Sequence, residues 1–440
     1  MKRLSAILFS FWSKKLSGLI LAIRSTRVFD WIESNERVYQ LLKSMYRFIH
    51  RPMKTLPEMA FEYKLLKAVP QRTIYCDVSG IFDVPFLDGT RRVGKYFAQH
   101  LLDMHDSNYR IIPVKWDGNT YIDYRKTQKI FRFFADRRFE WNPNPDDLLF
   151  LQTMEAVTQI GQLKFKEIKN KVRVVTFIHD ILPIREPSWF TKRMVNTFID
   201  NLDSALENSH LLVVSSKVVE GDLLALTSST NSQKVIPQIE RVNIASVAQR
   251  FRVKERSTKV ISCADPLVFL MISTIEPRKG YDELVAAATK AILAGANIKF
   301  IIVGRLGWVS DSFRAEFARF IQDFSDRVEW HENATDDEIS DFVSEADIFL
   351  SPTRGEGFGI PVTEALLAGL PSLARDIPVY QELYGHAVAL FGKGMDFPDL
   401  YTAFKEPEKL QAVATDRFTK FIPSDSLDSF NALMEVFRSQ

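Results

Sequence analysis

The ten residues Gly355, Glu356, Gly357, Phe358, Gly359, Ile360, Pro361, Val362, Thr363 and Glu364 set two carboxylates at an E-x7-E spacing around three glycines. Glycines let a backbone approach a ligand closely. Pro361 suits the first position of a helix, where its missing N–H costs nothing. A helix N-terminus leaves backbone N–H groups unpaired and carries partial positive charge, so this loop suits a phosphate-bearing ligand. For a nucleotide diphospho-sugar, Glu356, ahead of the helix, is placed to reach the sugar ring. Glu364, a turn inside, is placed to accept hydrogen bonds from ribose hydroxyls.

These residues need a strand before them and a helix after. The apolar run Ile348, Phe349, Leu350 reads as a buried strand end, and Val362 to Gly369 as the helix. The same alternation recurs upstream. Leu267 to Ile272 reads as a strand, Ser273 to Gly280 as a loop holding Glu276, Pro277, Arg278 and Lys279, and a helix follows from Tyr281. Lys299 to Gly304 and Val328 to His331 are further strands, and Asp336 opens a helix. Strands alternating with helices predict a doubly wound parallel sheet. In the first half, Ile74 to Ser79 reads as a first strand and Asp88 to Gly94 as a loop entering a helix. Val172 to Ile178 reads as a strand ending in His179 and Asp180, and open α/β sheets bind ligands at such ends. Ser215 and Ser216, after the strand Leu211 to Val214, read first as helix-capping residues.

The E-x7-E element with its internal Gly357-Phe358-Gly359-Ile360-Pro361 resembles the signature of glycosyltransferase family 4, the retaining enzymes of GT-B fold. Gly304, Arg305, Leu306, Gly307 and Trp308 are similar to a VGxxGW segment of relatives, and the resemblance spans roughly Thr73 to Gly392. It implies α/β architecture with two Rossmann-like domains facing a cleft. It also implies a donor site of Gly89, Arg278, Lys279, Trp330, His331, Glu356, Gly357, Phe358, Gly359, Ile360 and Glu364. Lys279 is the first choice for the basic clamp on the diphosphate. Many relatives place an arginine directly after a glycine where this chain has Thr274, so Arg278, Arg305 and Arg354 compete to complete the clamp. His179 is implied to hydrogen-bond the transferred sugar or to place its carbonyl near the attacking hydroxyl, and Asp180 to orient His179 or cap the next turn.

The implied reaction is transfer of a hexose, with retention, from a nucleotide diphospho-sugar to a lipid-linked or growing polysaccharide acceptor of the lipopolysaccharide or capsule type. The Glu276–Lys279 loop resembles that of relatives using GDP-mannose, which leans the sugar toward mannose. No simple D-x-D pattern is present, so no metal and no cofactor is expected. A GT-B epimerase or phosphorylase is an alternative. So is a catalytically inactive scaffold or binding subunit of a glycan-assembly complex, which Thr274 favours and the intact Glu356, Glu364, Lys279 and His179 disfavour. No GxGxxG follows the first strand, which argues against a dinucleotide-binding oxidoreductase.

At 440 residues the chain is long for one core. The reading divides it into a basic amphipathic helical extension (1–70), an acceptor domain (71–257), a donor domain (258–422) and a closing helix (423–440). Charged residues at 25% and hydrophobic residues at 46% describe a globular protein. A net charge of +2 argues against nucleic acid as a partner. Two cysteines, Cys76 and Cys263, suggest no disulfide framework and a reducing cytoplasm. No run of about 18 apolar residues predicts a membrane span. Up to Lys54, however, Lys and Arg far outnumber Asp30, Glu33 and Glu36, and Leu4, Ile7, Leu8, Phe11, Trp12, Leu19 and Ile23 recur at helical spacing. That pattern fits peripheral contact with an anionic membrane through residues 1–54, or a helical extension packed on the body, and less well a signal peptide.

Overall fold

A computed structural model of the chain describes residues 72–81, 89–104, 108–124, 140–229, 236–248, 265–425 and 427–440. The expected extension over 1–70, Asp88, Cys263 and the expected crossing at 257/258 lie outside the described residues. The described residues fall into two compact units. One holds 72–74, 104, 108–124 and 140–142; the other holds 75–81, 89–103 and the described residues from 143 onward. Strand β1 (Arg72–Asp77) crosses from one to the other.

The smaller unit is built on a hairpin, β2 (Tyr109–Trp116) antiparallel to β3 (Tyr121–Asp123). Asp117 closes its turn by accepting the Asn119 and Thr120 N–H groups, each at 2.9 Å, the side-chain turn for which aspartate is favoured. Tyr121 packs between Trp116 at 5.2 Å and Trp141 at 4.7 Å.

In the larger unit β1, β4 (Leu148–Leu151), β5 (Arg173–Ile178), β6 (Leu211–Val214) and β7 (Gln238–Arg241) are neighbours in that order, and β4 to β7 run parallel. Every residue of β4 and β6 is buried, as expected of strands covered on both faces. Phe97, on the helix Gly89–Asp103, lies 6.3 Å from Phe150 and 6.1 Å from Phe177. The last helix, Asp428–Ser439, returns to this sheet. Its Phe437 meets Phe150 at 5.2 Å, and the Arg173 guanidinium donates to the Gln440 carbonyl.

The second sheet of the same unit is wholly parallel. Its strands are β8 (Leu267–Ile272), β9 (Ile298–Val303), β10 (Val328–His331), β11 (Ile348–Ser351), β12 (Ser372–Arg375) and β13 (Ala389–Phe391), in the order β10-β9-β8-β11-β12-β13. Its core includes the triangle Phe269, Phe300 and Phe404, with centroids 5.1 to 5.3 Å apart. The strand order reverses between β8 and β11. The crevice outside the carboxyl ends of strands at such a switch point is the usual ligand site of a doubly wound sheet.

Two local expectations are corrected. Thr90 to Gly94 are helical rather than loop, because the helix starts at Gly89 and Val93 and Gly94 are buried on its inner face. Pro361 is the second helical residue rather than the first, because Gly359 caps the helix and Ile360 begins it. Both N1 and N2 lack an intrahelical acceptor, so proline is tolerated at either. Among the described residues, no helix is long and apolar enough to cross a membrane.

Candidate donor and acceptor site

The loops after β8 and β11 are stitched to each other. Pro277–Lys279 forms one tight turn, closed by the Lys279 N–H on the Glu276 carbonyl at 2.9 Å. The Arg278 carbonyl then accepts the Arg354 N–H at 2.7 Å and the Thr353 hydroxyl at 3.2 Å. The second loop runs into the helix Ile360–Leu367 through Gly359, whose φ of 91° is open to glycine at little cost. A Cβ there would strike the Tyr380 ring. The result is a helix N-terminus facing the crevice with its first N–H groups outside the helical ladder.

Four charged side chains meet beside that terminus. The Lys279 ammonium and the Arg278 Nη1, the latter at 3.1 Å, donate to opposite oxygens of Glu356, and Arg278 Nε lies 2.5 Å from Glu276. Glu276 is 4% exposed and Lys279 9%. Burial alone would raise the Glu356 carboxyl, but the two cations outweigh it and hold the group down at about 2. Burial works against Arg278 too, and the carboxylates of Glu356, Glu276 and Asp180 outweigh it, keeping the guanidinium above its ordinary value. Lys279 moves the other way, lowered by burial and by its neighbour Arg278. Both cations bond to the one Glu356 carboxylate, an arrangement in which losing a partner leaves an uncompensated buried charge. Of the three competing arginines, Arg278 is the one on Glu356. Arg354 is held by Asp282 and by the Pro277 carbonyl, each at 2.8 Å, and Arg305 gives its carbonyl to the Ile275 N–H at 2.9 Å.

The first sheet contributes the opposite wall. His179 follows β5, its Nε2 2.9 Å from the Gln152 carbonyl and its ring 4.5 Å from Phe177. Asp180 caps the next turn through the Leu182 N–H at 3.1 Å, and burial raises its carboxyl despite the nearby Arg278. The His179 carbonyl lies so close to Gly357 that any Cβ at 357 would collide with it. Ser216 and Ser215 donate to the Gly357 carbonyl at 2.9 and 3.3 Å, and Ser216 also accepts the Val219 N–H at 3.3 Å. The capping reading of these serines is therefore incomplete. Capping explains Ser216 in part, and both hydroxyls also reach across to the other sheet's loop. Gly89 faces the same loop, with a Cβ at that position 3.8 Å from Ile360 Cδ1.

Two more contacts join these walls. Trp308 Nε1 donates to the Trp189 carbonyl at 2.8 Å, and Glu382 accepts the Lys217 and Val218 N–H groups at 2.8 and 3.0 Å. On the first-sheet side, Thr90, Arg91, Thr153, Met154, Glu155, His179, Asp180 and Phe198 line a cavity of about 210 Å³. The structure thus brings Gly89, His179, Asp180, Arg278, Lys279 and the Glu356–Ile360 loop together. Trp330 and His331 end β10. The Trp330 indole donates to the Gly304 carbonyl at 2.8 Å and packs on Phe317, and the His331 ring packs on Phe342 at 4.4 Å. Phe358 is buried, its carbonyl accepting the Tyr384 hydroxyl at 3.2 Å, and Glu364 is 1% exposed and ion-paired with Arg92. In the sequence Arg91 and Arg92 follow Gly89 in a motif whose tail departs from the commonest form, which weakens them as named contacts, and Gln152 carries little signal. The one signal for Gln152 is a polar residue ending the apolar run Leu148 to Leu151.

Residues 254–406 match the family described as Glycosyl transferases group 1. The chain is 29% identical over 330 residues to a serotype-specific mannosyltransferase, WbdA, of Escherichia coli, covering 71% of this chain and 40% of that protein. It is 24% identical over 259 residues to the O-antigen chain mannosyltransferase RfbU of Salmonella typhimurium, covering 58% of this chain and 67% of the relative. The fold is similar to HepE of Anabaena, solved with UDP and glucose, at a TM-score of 0.52 and 16% identity, over 84% of this chain and 99% of that one. Residues 254–406 are thus similar in sequence to the group 1 glycosyl transferases, and the two sheets have the GT-B fold.

Proposed function

We propose that the protein is a retaining glycosyltransferase that moves a hexosyl unit, mannose by preference, from a nucleotide diphospho-sugar to a lipid-linked or growing polysaccharide. One observation carries this reading. Lys279 and Arg278 converge on Glu356 beside the N-terminus of the helix Ile360–Leu367, opposite the strand end at His179. Two cations and a helix N-terminus form a setting for a diphosphate, and a carboxylate among them offers acceptors to sugar hydroxyls. The mannosyltransferases of E. coli and S. typhimurium support the choice of sugar, and the UDP and glucose bound to HepE support the class of donor.

In this reading the diphosphate lies at Gly359 with Lys279 and Arg278 on its oxygens, Glu356 turns to the sugar, and Glu364 accepts the ribose hydroxyls. The acceptor enters the cavity beside His179. The bond from the anomeric carbon to the phosphate oxygen breaks as the acceptor oxygen bonds to the same face. The departing phosphate takes the acceptor proton, so charge and stereochemistry both balance. Cations already in place to meet the developing phosphate charge lower the barrier without reorganisation. No divalent ion is needed in this scheme, and EDTA is expected to leave the rate unchanged. Residues 1–54, with their excess of Lys and Arg, are proposed to draw the protein to anionic lipid.

Turnover with GDP-mannose, GDP-glucose, UDP-glucose and dTDP-glucose, compared between the native protein, Lys279→Ala and Glu356→Ala, tests the reading. One donor should turn over in the native protein and roughly 10²-fold or more slowly in both variants. If no sugar nucleotide is bound at millimolar concentration, the proposal is wrong.

A further inference from the structure

Glu364 belongs to the second sheet's loop and helix, yet its ion-pair partner comes from the first sheet. Arg92 sits one turn along the helix Gly89–Asp103, and its Nη1 donates to Glu364 Oε1. The carboxylate is 1% exposed and the Arg92 side chain 19%. Arg92 Nε is buried and finds no hydrogen-bond acceptor among the described residues. The guanidinium is therefore held by one carboxylate at one end and left without an acceptor at its Nε. Nearby Arg91 is bound differently, with Glu155 at 2.7 Å and the Gly80 carbonyl at 2.9 Å.

A carboxylate this buried is closed to a ligand hydroxyl while its neighbours stay where they are. Arg92 is the charged partner that reaches it from the first sheet. We propose that Arg92 is a positioning residue that covers Glu364 in the empty crevice and is displaced when a donor's ribose hydroxyls take the carboxylate. The inference rests on the donor reading given under Proposed function. A ribose hydroxyl replaces the guanidinium as the donor to Oε1, so that oxygen keeps its hydrogen bond while the cross-sheet tie is broken. Donor binding is weakened by the strength of the contact it must break. Removing Arg92 removes that opposition, and it does so only for ligands that carry the hydroxyls.

The test measures dissociation constants by calorimetry for GDP, UDP and their 2′,3′-dideoxy counterparts on the native protein, Arg92→Ala and Arg92→Lys. Whichever of GDP and UDP the native protein binds should bind Arg92→Ala about three- to tenfold more tightly, with the dideoxy counterpart unchanged and Arg92→Lys intermediate. KM for the donor should fall with it while kcat does not rise. Weaker binding to Arg92→Ala, or an equal change for the ribose and dideoxy forms, overturns the proposal. Should Arg92→Ala fail to fold, as judged by circular dichroism, Arg92→Lys alone must show the ribose-specific gain, and its absence overturns the proposal. If the native protein binds neither GDP nor UDP at millimolar concentration, the donor reading has failed, a result distinct from a failure of the Arg92 proposal alone.

Discussion

The two walls of the crevice are built on different physical terms. On the second sheet, four charged side chains are packed against each other and nearly dry, with Glu356, Arg278, Lys279 and Glu276 each holding a neighbour's charge in place. On the first sheet, His179 is fixed by a backbone carbonyl and a phenylalanine, and the adjoining space is a cavity of about 210 Å³. The charged wall suits a ligand whose charge is constant and whose departure develops more of it. The open wall suits a neutral partner recognised by shape and a few hydrogen bonds. The difference says where mutation should be severe. A buried charge network fails as a unit when one member is removed, whereas a wall of backbone contacts and apolar packing loses its parts separately.

The largest effect should follow Lys279→Ala, with kcat/KM falling by roughly 10²- to 10³-fold as a preorganised charge is lost, measured under saturating acceptor. A loss under tenfold would break the contrast between the walls. His179→Ala should cost less, about tenfold in kcat/KM, the scale of one hydrogen bond of ordinary strength. Its nucleoside diphosphate affinity should match the native protein's. If that affinity drops as far as in Lys279→Ala, the first sheet is a donor wall as well and the distinction collapses. Ser216→Ala removes one hydroxyl from the Gly357 carbonyl while Ser215 remains, so a two- to fivefold loss is expected, of the order of a neutral hydrogen bond.

The smallest effect is on pH. Glu356 titrates at about 2 in the folded chain against an ordinary 4.5, so its folded value is depressed. Its contribution to stability is then complete above 4.5 and is lost as pH falls toward 2. The gap in melting temperature between native protein and Glu356→Gln should hold from pH 8 to 5, as roughly constant linkage requires, and close below 4.5. A gap that narrows at neutral pH would mean that Glu356 is not held by the two cations.

Much of this is legible in the sequence. Leu267 to Ile272 and Leu211 to Val214 are strands at the residues expected, because a buried parallel strand must be apolar at every position. The first helix was less legible. Gly89 and Gly94 suggested a loop, yet the helix encloses both, with Gly94 buried on its inner face against the Ile81 side chain. The partner of the Trp330 indole N–H was not legible either, since the Gly304 carbonyl that accepts it is brought there by the pairing of neighbouring strands. Nothing in the sequence links Arg92 to Glu364, which are 272 positions apart.

What the sequence alone determined is local: which runs are strands, where a glycine loop enters a helix, and that Glu356 and Lys279 are of the types a phosphate site uses. Those follow from periodicity and from the backbone demands of glycine and proline, which act over a few residues. Only the tertiary structure decided which charges meet. It chose Arg278 over Arg305 and Arg354 for Glu356, and set Ser216 and the His179 carbonyl against Gly357. The physical reason is that ion pairing and close approach depend on distances of a few ångströms between strand ends far apart in the chain, and those are set by how the sheets pack.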